Sequence, residues 1–384
     1  MPGIGPSKIP QLKAVVLPLF ELGCVVVLSL SLAPAAAAAA RPPVPVLAYY
    51  YIWYTPHSWE RGKTDAPLLG PYSSNDERVM RRHIRWARAA GIDGFIVSWK
   101  RTAALDRRLE KLVRVADATN FKLAIIYQGL DFTRRPLASR RVGADLRFFA
   151  AHFGSAKAFR IYPKPLVIWS GTWKVPRNQI EGVVASVRNR LLVLASEKNA
   201  RGYERLADVV DGDAYYWSSV DPQTYPHYPD KLIRMGQIVH SHGGLWIAPA
   251  APGFDARAVG GHIVVSRRGG STLTDELNGA MKSDPDAVGL ISWNEFSENS
   301  EVEPSQKYGP ESLGVLADAL GGGLPADADF SSDSPTGRSR TLNVLVLSAA
   351  SAALIGLVMW VFIRSMRAER TRTRAHENDS RLHG

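Results

Sequence analysis

Two glutamates, Glu295 and Glu298, stand three positions apart in the segment Ile291-Ser292-Trp293-Asn294-Glu295-Phe296-Ser297-Glu298-Asn299. Where the chain turns helically, that spacing puts both on one face. Two neighbouring carboxyl groups push their pKa values apart, so that one keeps a proton near neutrality. Cleavage of a glycosidic bond asks for such a division: one carboxyl protonates the leaving oxygen, and the other supports the anomeric centre or its attacker. The competing reading is a solvated acidic loop, since Glu301 and Glu303 follow closely. Glu197, Asp131, Asp211 and Asp213 are further acids near strand ends, each read as structural or as a partner for a sugar hydroxyl.

Other chemistries find little support. His240 and His242 lie close together, but no histidine pair has metal-ligand spacing, so no metal and no cofactor are expected. No Gly-x-Ser-x-Gly elbow follows a strand. The single cysteine, Cys24, falls in the N-terminal leader, which leaves the body without a thiol nucleophile, cysteine metal site or disulfide. The formal charge of +11 is dispersed along segments such as Arg81, Arg82, Arg85 and Arg88. Dispersed basic charge favours an acidic envelope or polymer. No basic cluster with interleaved aromatics marks a nucleic-acid binder.

The two glutamates must be positioned by the elements before them. Short β-rich runs alternate eight times with amphipathic segments: Val46–Tyr54, Gly94–Trp99, Lys122–Tyr127, Pro165–Ser170, Leu191–Ser196, Ala214–Trp217, Gly244–Ala248 and Val288–Trp293. Unbroken apolar stretches such as Phe95-Ile96-Val97 mark strands buried on both faces, as in parallel sheets. Asp76 to Ala90 reads as a helix, capped between Ser74 and Asp76 and closed by Gly91; Arg205 to Val210 and Pro229 to His240 read similarly. Eight alternations over residues 41–320 predict a single α/β domain, a (β/α)₈ TIM barrel. A doubly wound sheet is the alternative, but no glycine-rich phosphate loop opens a helix.

Active sites of such barrels gather at the C-terminal strand ends. Those ends carry Tyr51, Trp53 and Tyr54, then Trp99, Tyr127, Trp169, Tyr216 with Trp217, Phe254 in the seventh loop, and Trp293 with Asn294. A ring of aromatics beside polar groups suits an oligo- or polysaccharide, whose C–H faces stack on rings while hydroxyls need polar partners. The reading requires Trp53, Trp99, Trp169 and Trp293 to approach one cavity.

The chain ends frame this body. Residues 1–40 have Lys8 and Lys13, an apolar run and an alanine-rich stretch, and read as a secretory signal or an uncleaved anchor. Residues 321–341 read as a flexible stalk rich in Gly, Ser, Asp and Pro. Leu342 to Ile363 carries no charge over 22 residues. As a helix it reaches about 33 Å, enough to cross a bilayer core. Arg364, Arg367, Arg370, Arg372 and Arg374 follow, so the tail 364–384 is expected in the cytoplasm and the body outside a cell membrane.

Three stretches resemble glycoside hydrolase family 99, the endo-α-mannosidase family. Tyr49-Tyr50-Tyr51-Ile52-Trp53-Tyr54 is similar to its opening aromatic strand. Leu69-Gly70-Pro71-Tyr72-Ser73-Ser74-Asn75-Asp76, with His83 and Ile96-Val97-Ser98-Trp99, is similar to its Gly-x-Tyr-Ser-Ser-x-Asp block and second strand. Ser292 to Glu298, with Glu303-Pro304, is similar to its Asn-Glu-Trp-His-Glu loop. The resemblance implies Glu298 as general acid/base and Glu295 as base on the substrate's own 2-hydroxyl, by way of a 1,2-anhydro sugar. It implies Asn294 beside the substrate and Tyr72 and Glu303 in the site. The sequence departs from the pattern at Phe296-Ser297, at Asn299, and at Phe254, where a tyrosine hydroxyl is expected. The leading expectation is a retaining endo-glycosidase on α-mannose-type or related α-linked glycans. A glycan-binding barrel without turnover and a role in envelope glycan assembly stand as alternatives.

Overall fold

The computed structural model describes residues 44–324. Eight parallel strands form the central sheet: β1 (Val46–Tyr51), β2 (Gly94–Trp99), β3 (Lys122–Gln128), β4 (Leu166–Ser170), β5 (Leu192–Leu194), β6 (Gly212–Ala214), β7 (Leu245–Ala250) and β10 (Ala287–Leu290). The order is β5-β4-β3-β2-β1-β10-β7-β6. A parallel bridge between Ala195 and Asp213 joins the two outer strands. Its amide bonds, Ala195 to Gly212 O and Ala214 to Ala195 O, are both 2.9 Å. The sheet therefore closes into the expected (β/α)₈ barrel. The pair β8 (Phe254–Asp255) and β9 (Val264–Val265) is an antiparallel hairpin outside the barrel, between β7 and its helix.

The outer ring comprises α1 (Glu77–Ala89), α2 (Ala103–Thr119), α3 (Ser139–His152), α4 (Arg177–Ala185), the short α5 (Ala200–Glu204), α6 (Tyr228–Ser241), α7 (Ser271–Lys282) and α8 (Glu311–Leu320). Asp76 caps α1 by accepting the Arg78 amide, as its position before the helix predicts. The segment Arg205 to Val210, expected as helix, lies beyond α5 in turns.

Every residue of β1, β2, β4 and β10 is buried, because strands of a closed barrel have apolar neighbours on both sides. Alternation divides them into two layers. Leu47, Tyr49, Ile96, Ala124, Ile126 and Ile168 fill the barrel. Tyr50, Phe95, Val97, Trp99, Ile125, Tyr127 and Trp169 face the helices. At Gly289 of β10 an added side chain would come within 2.8 Å of Tyr49 Cε2, so its bareness makes room for the Tyr49 ring inside the barrel. No helix among the described residues is long and apolar enough to cross a membrane. The leader, nearly all of the stalk, the expected span and the basic tail lie outside the described residues.

Candidate active site

The loop after β10 carries the glutamates in a tight turn. The Glu295 amide donates to Ser292 Oγ at 2.7 Å, and the Ser297 amide donates to Glu295 Oε1 at 3.0 Å. The Glu298 and Ser300 amides both return to Glu295 O, at 3.2 and 3.3 Å. The turn is anchored from two sides. Glu298 O accepts the Asp255 amide at 2.7 Å, tying it to the hairpin that presents Phe254. The buried Arg267 guanidinium donates to Asn299 O at 3.1 Å, to Glu301 O at 2.7 Å and to the Glu301 carboxylate at 2.6 Å, while lying 4.2 Å from the Tyr308 ring centroid.

Both carboxyl groups open on a cavity of about 600 Å³ at the C-terminal strand ends. Tyr51, Trp53, Trp99, Tyr216, Trp217 and Phe254 line it with them. Burial, joined by the nearby Glu298 charge, pushes the Glu295 carboxyl up to about 8. Burial also raises Glu298, against the opposing pull of Arg134. The Tyr51 and Tyr216 hydroxyls bond one another at the cavity wall. Burial, with the neighbouring carboxylates, keeps both phenols protonated. Phe254 lines the same cavity without a hydroxyl.

The other expected site residues stand behind this wall. Asn294 has no exposed surface. Its Oδ1 accepts the Tyr51 amide at 2.8 Å, and its Nδ2 donates to Tyr51 O and to Tyr72 Oη, each at 3.1 Å. Tyr54 Oη donates to Asn294 O at 2.6 Å. Tyr72 Oη donates to Glu303 Oε2 at 2.8 Å, and Glu303 Oε1 lies 3.0 Å from His83 Nε2, whose Nδ1 faces the Tyr50 hydroxyl at 3.0 Å. This network joins β1, α1 and the glutamate turn. Phe296 is buried in a T-shaped contact with the Trp59 ring and is not among the residues lining the cavity.

One expectation needs correction. Trp53 and Trp99 reach the cavity, but Trp169 and Trp293 do not; Trp293 packs between His83 and Phe95, and Tyr127 donates to the buried Asp145 at 2.9 Å. For Tyr127 and Trp169 the cause is strand parity, which Trp99 shares although it reaches the cavity from the last position of β2. The last aromatic of β3 and of β4 is an outward position, and the inward neighbours at that level are the polar Gln128 and Ser170, which do line the cavity. The sixth strand also ends earlier than expected, at Ala214, so Tyr216 and Trp217 reach the cavity from a loop.

In the loop after β3, sequence reasoning named Asp131 but missed Phe132 and Arg134 beside it. Asp131 accepts the Thr133 and Arg135 amides at 2.8 and 2.9 Å, forming a turn that carries Phe132 and Arg134 to the cavity mouth. Asp-x-Thr is a legible turn signal, but nothing local says that the turn folds over a site. Lys63, whose charge lies near Glu295, and Trp173 were missed likewise. Among the described residues no cluster of His, Cys, Asp and Glu is arranged to hold a metal ion.

A closed parallel barrel with paired buried glutamates at its C-terminal mouth is an arrangement suited to glycoside hydrolysis. The family model of Glycosyl hydrolase family 99 matches residues 58–311, and the chain belongs to that family. Among solved structures, the family 99 endo-α-mannosidase of Bacteroides thetaiotaomicron superposes with a TM-score of 0.64 at 19% identity, over 72% of this chain and 96% of that one. Its complex with bis-tris-propane gives the same TM-score and identity, with 95% of that chain covered. A protein described as glycoside hydrolase-like superposes with a TM-score of 0.59 at 14% identity, over 80% of this chain and 97% of that one. At these identities the likeness is one of fold.

Proposed function

We propose that the enzyme is a retaining glycosidase acting within chains of α-mannose-type or related α-linked glycans, through a 1,2-anhydro sugar. The observation that carries this reading is the pair Glu295 and Glu298, both buried on one cavity and both held above the ordinary carboxylate range. Glu295 takes the proton of the sugar 2-hydroxyl as O2 attacks C1. The C1 bond to the leaving oxygen breaks, and Glu298 gives that oxygen its proton. Water, losing a proton to Glu298, then opens the three-membered ring at C1, and Glu295 returns its proton to O2. Two inversions at C1 give net retention.

The high proton affinity of Glu295 supports its role as base, since the 2-hydroxyl is a weak acid. Burial lets Glu295 hold its proton up to about pH 8. A hydroxyl donated by bound sugar stabilises the ionised form, so the sugar itself helps move the proton to where the step needs it. Trp53, 40% exposed at the mouth, and Trp217 offer faces for sugar rings, and an open-sided cavity accommodates a chain rather than only its end. The residues outside 44–324 support display of the barrel on the outer face of a cell membrane, held by the apolar run Leu342 to Ile363. Incubation with α-mannans and α-glucans, with the anomer of the first-formed product followed by NMR, tests the reading; an inverted first product excludes the anhydro-sugar route.

A further inference from the structure

We propose that the substrate glycan is anionic, and that its chain runs from the catalytic cavity across Lys198 into a second, cationic cleft. The proposal deepens the glycosidase reading and rests on it. The second cleft, of about 690 Å³, is lined by Lys198, Arg201, Lys231 and Arg234. Its one acidic residue, Asp230, is engaged by His227 Nδ1 at 3.2 Å. Lys231 is held in place by donating to Tyr215 Oη at 2.6 Å.

Lys198 joins the two clefts. It lines the second, and its Nζ stands 5.0 Å from the Trp173 centroid and 5.2 Å from the Trp217 centroid, two rings of the catalytic cavity wall. The cavity continues the positive track with Lys100, lying 4.8 Å from the Phe132 centroid, and with Arg134. Apart from Glu295 and Glu298, the cavity's acid is Asp131, which is satisfied by its own turn and by Arg135 at 3.4 Å. Among the described residues, none of these six cations forms an ion pair.

A neutral glycan needs aromatic faces and hydrogen-bonding groups, not a row of cations of which, among the described residues, Arg134 and Lys198 alone are felt by a buried carboxyl, Glu298 and Glu197 respectively. Grouped cations repel one another, and a chain bearing anionic oxygens relieves that repulsion while stacking on the same rings. The ligand chemistry is a carboxylate, phosphate or sulfate carried on an α-linked saccharide. Continuity with the carboxylate cavity and the tryptophans at the junction favour a glycan over a nucleic acid.

The test uses the full chain carrying Glu298→Gln, so that binding is read without turnover. Its affinity is measured for neutral, carboxylated, phosphorylated and sulfated α-mannans, and for single-stranded DNA, at low and high salt. At least one anionic mannan should bind about tenfold more tightly than the neutral one, as two or three screened charge contacts give, and salt should close that gap; the chemical form that does so identifies the substituent. Adding Arg201→Ala and Arg234→Ala should narrow the gap several-fold, and Arg82→Ala on α1 should not. Equal binding of neutral and anionic mannans at low salt overturns the proposal. So does an unchanged gap in the Arg201/Arg234 variant, or DNA binding as tight as that of the best glycan. Failure of the glycosidase reading has a different signature: the wild-type chain cleaves none of these glycans, whatever it binds.

Discussion

The carboxamide of Asn294 closes on the backbone of Tyr51 from both sides, accepting its amide at 2.8 Å and donating to its carbonyl at 3.1 Å. A residue adjacent to Glu295 thus sets the end of β1, and with it the Tyr51 ring in the cavity wall. Asn294→Ala removes the acceptor of the Tyr51 amide and a donor to the Tyr51 carbonyl in a buried place, and leaves the Tyr72 hydroxyl with Glu303 alone. A loss of about 2–4 kcal/mol in denaturant unfolding is expected, since each unsatisfied buried group costs about 1–3 kcal/mol. Asn294→Asp keeps the acceptor but replaces the donor, and should fall between the variant and the parent.

Arg267 and Glu301 are buried and joined at 2.6 Å, and the same guanidinium holds Asn299 O. Removing one partner of such a pair costs about 3–5 kcal/mol, whereas replacing both by apolar groups is often close to neutral. Arg267→Met should therefore destabilise strongly, and Arg267→Met with Glu301→Leu should recover much of the melting temperature. Because the arginine also fixes the glutamate turn, kcat should remain low in the double variant. Recovery of stability and kcat together would show that Arg267 does not position the turn.

The raised Glu295 pKa has a signed consequence for stability. Its folded value, about 8, lies above the ordinary glutamate value of 4.5, so the folded state binds this proton more tightly than the unfolded chain. That contribution is full below pH 4.5 and is lost as pH rises through about 8. Glu295→Gln removes the buried ionisation. Its melting temperature relative to the parent should climb between those two values, as scanning calorimetry across pH would show; a constant difference contradicts the burial of this charge.

Much of this was legible from the sequence, and the limits have physical causes. Unbroken apolar runs such as Phe95-Ile96-Val97 marked barrel strands correctly, because burial on both faces leaves no polar alternation. The same lack of alternation hid which face each residue takes. Tyr127 and Trp169 looked like cavity aromatics and instead pack outward, while Gln128 and Ser170 line the cavity. Glu295 and Glu298 were visible as a spaced pair, but the cations of the two clefts are scattered from Lys100 to Arg234 and are gathered only by the closure of the barrel. Tyr72, His83 and Glu303 are linked across more than 200 positions, and only their fold shows that they brace the glutamate turn.

Protease applied to intact cells checks the proposed display: the barrel should be removed while the arginine-rich tail survives. Protection of the barrel would reverse the orientation.

For the pH dependence of kcat/KM, the active pair must hold one proton, so both limbs of the profile belong to Glu295 and Glu298 together. The alkaline limb should fall near pH 8, where the last proton leaves the pair, and the acid limb should stand above the ordinary glutamate range. Either single Gln variant should abolish the bell. A parent profile with no alkaline limb below pH 10 would mean that neither glutamate supplies the essential proton.

The most direct measurement is turnover of an α-linked glycan by Glu295→Gln and Glu298→Gln beside the parent, on substrates with poor and with activated leaving groups. Each substitution keeps the side chain's shape and removes its proton transfer, which is worth about 10²- to 10⁴-fold. Both variants should lose at least that much kcat on the poor leaving group while still binding glycan. Glu298→Gln should be partly rescued by the activated leaving group, which needs little protonation, and Glu295→Gln should not. Parental turnover in both variants, on a substrate that the parent cleaves, would contradict the assignment of these two glutamates.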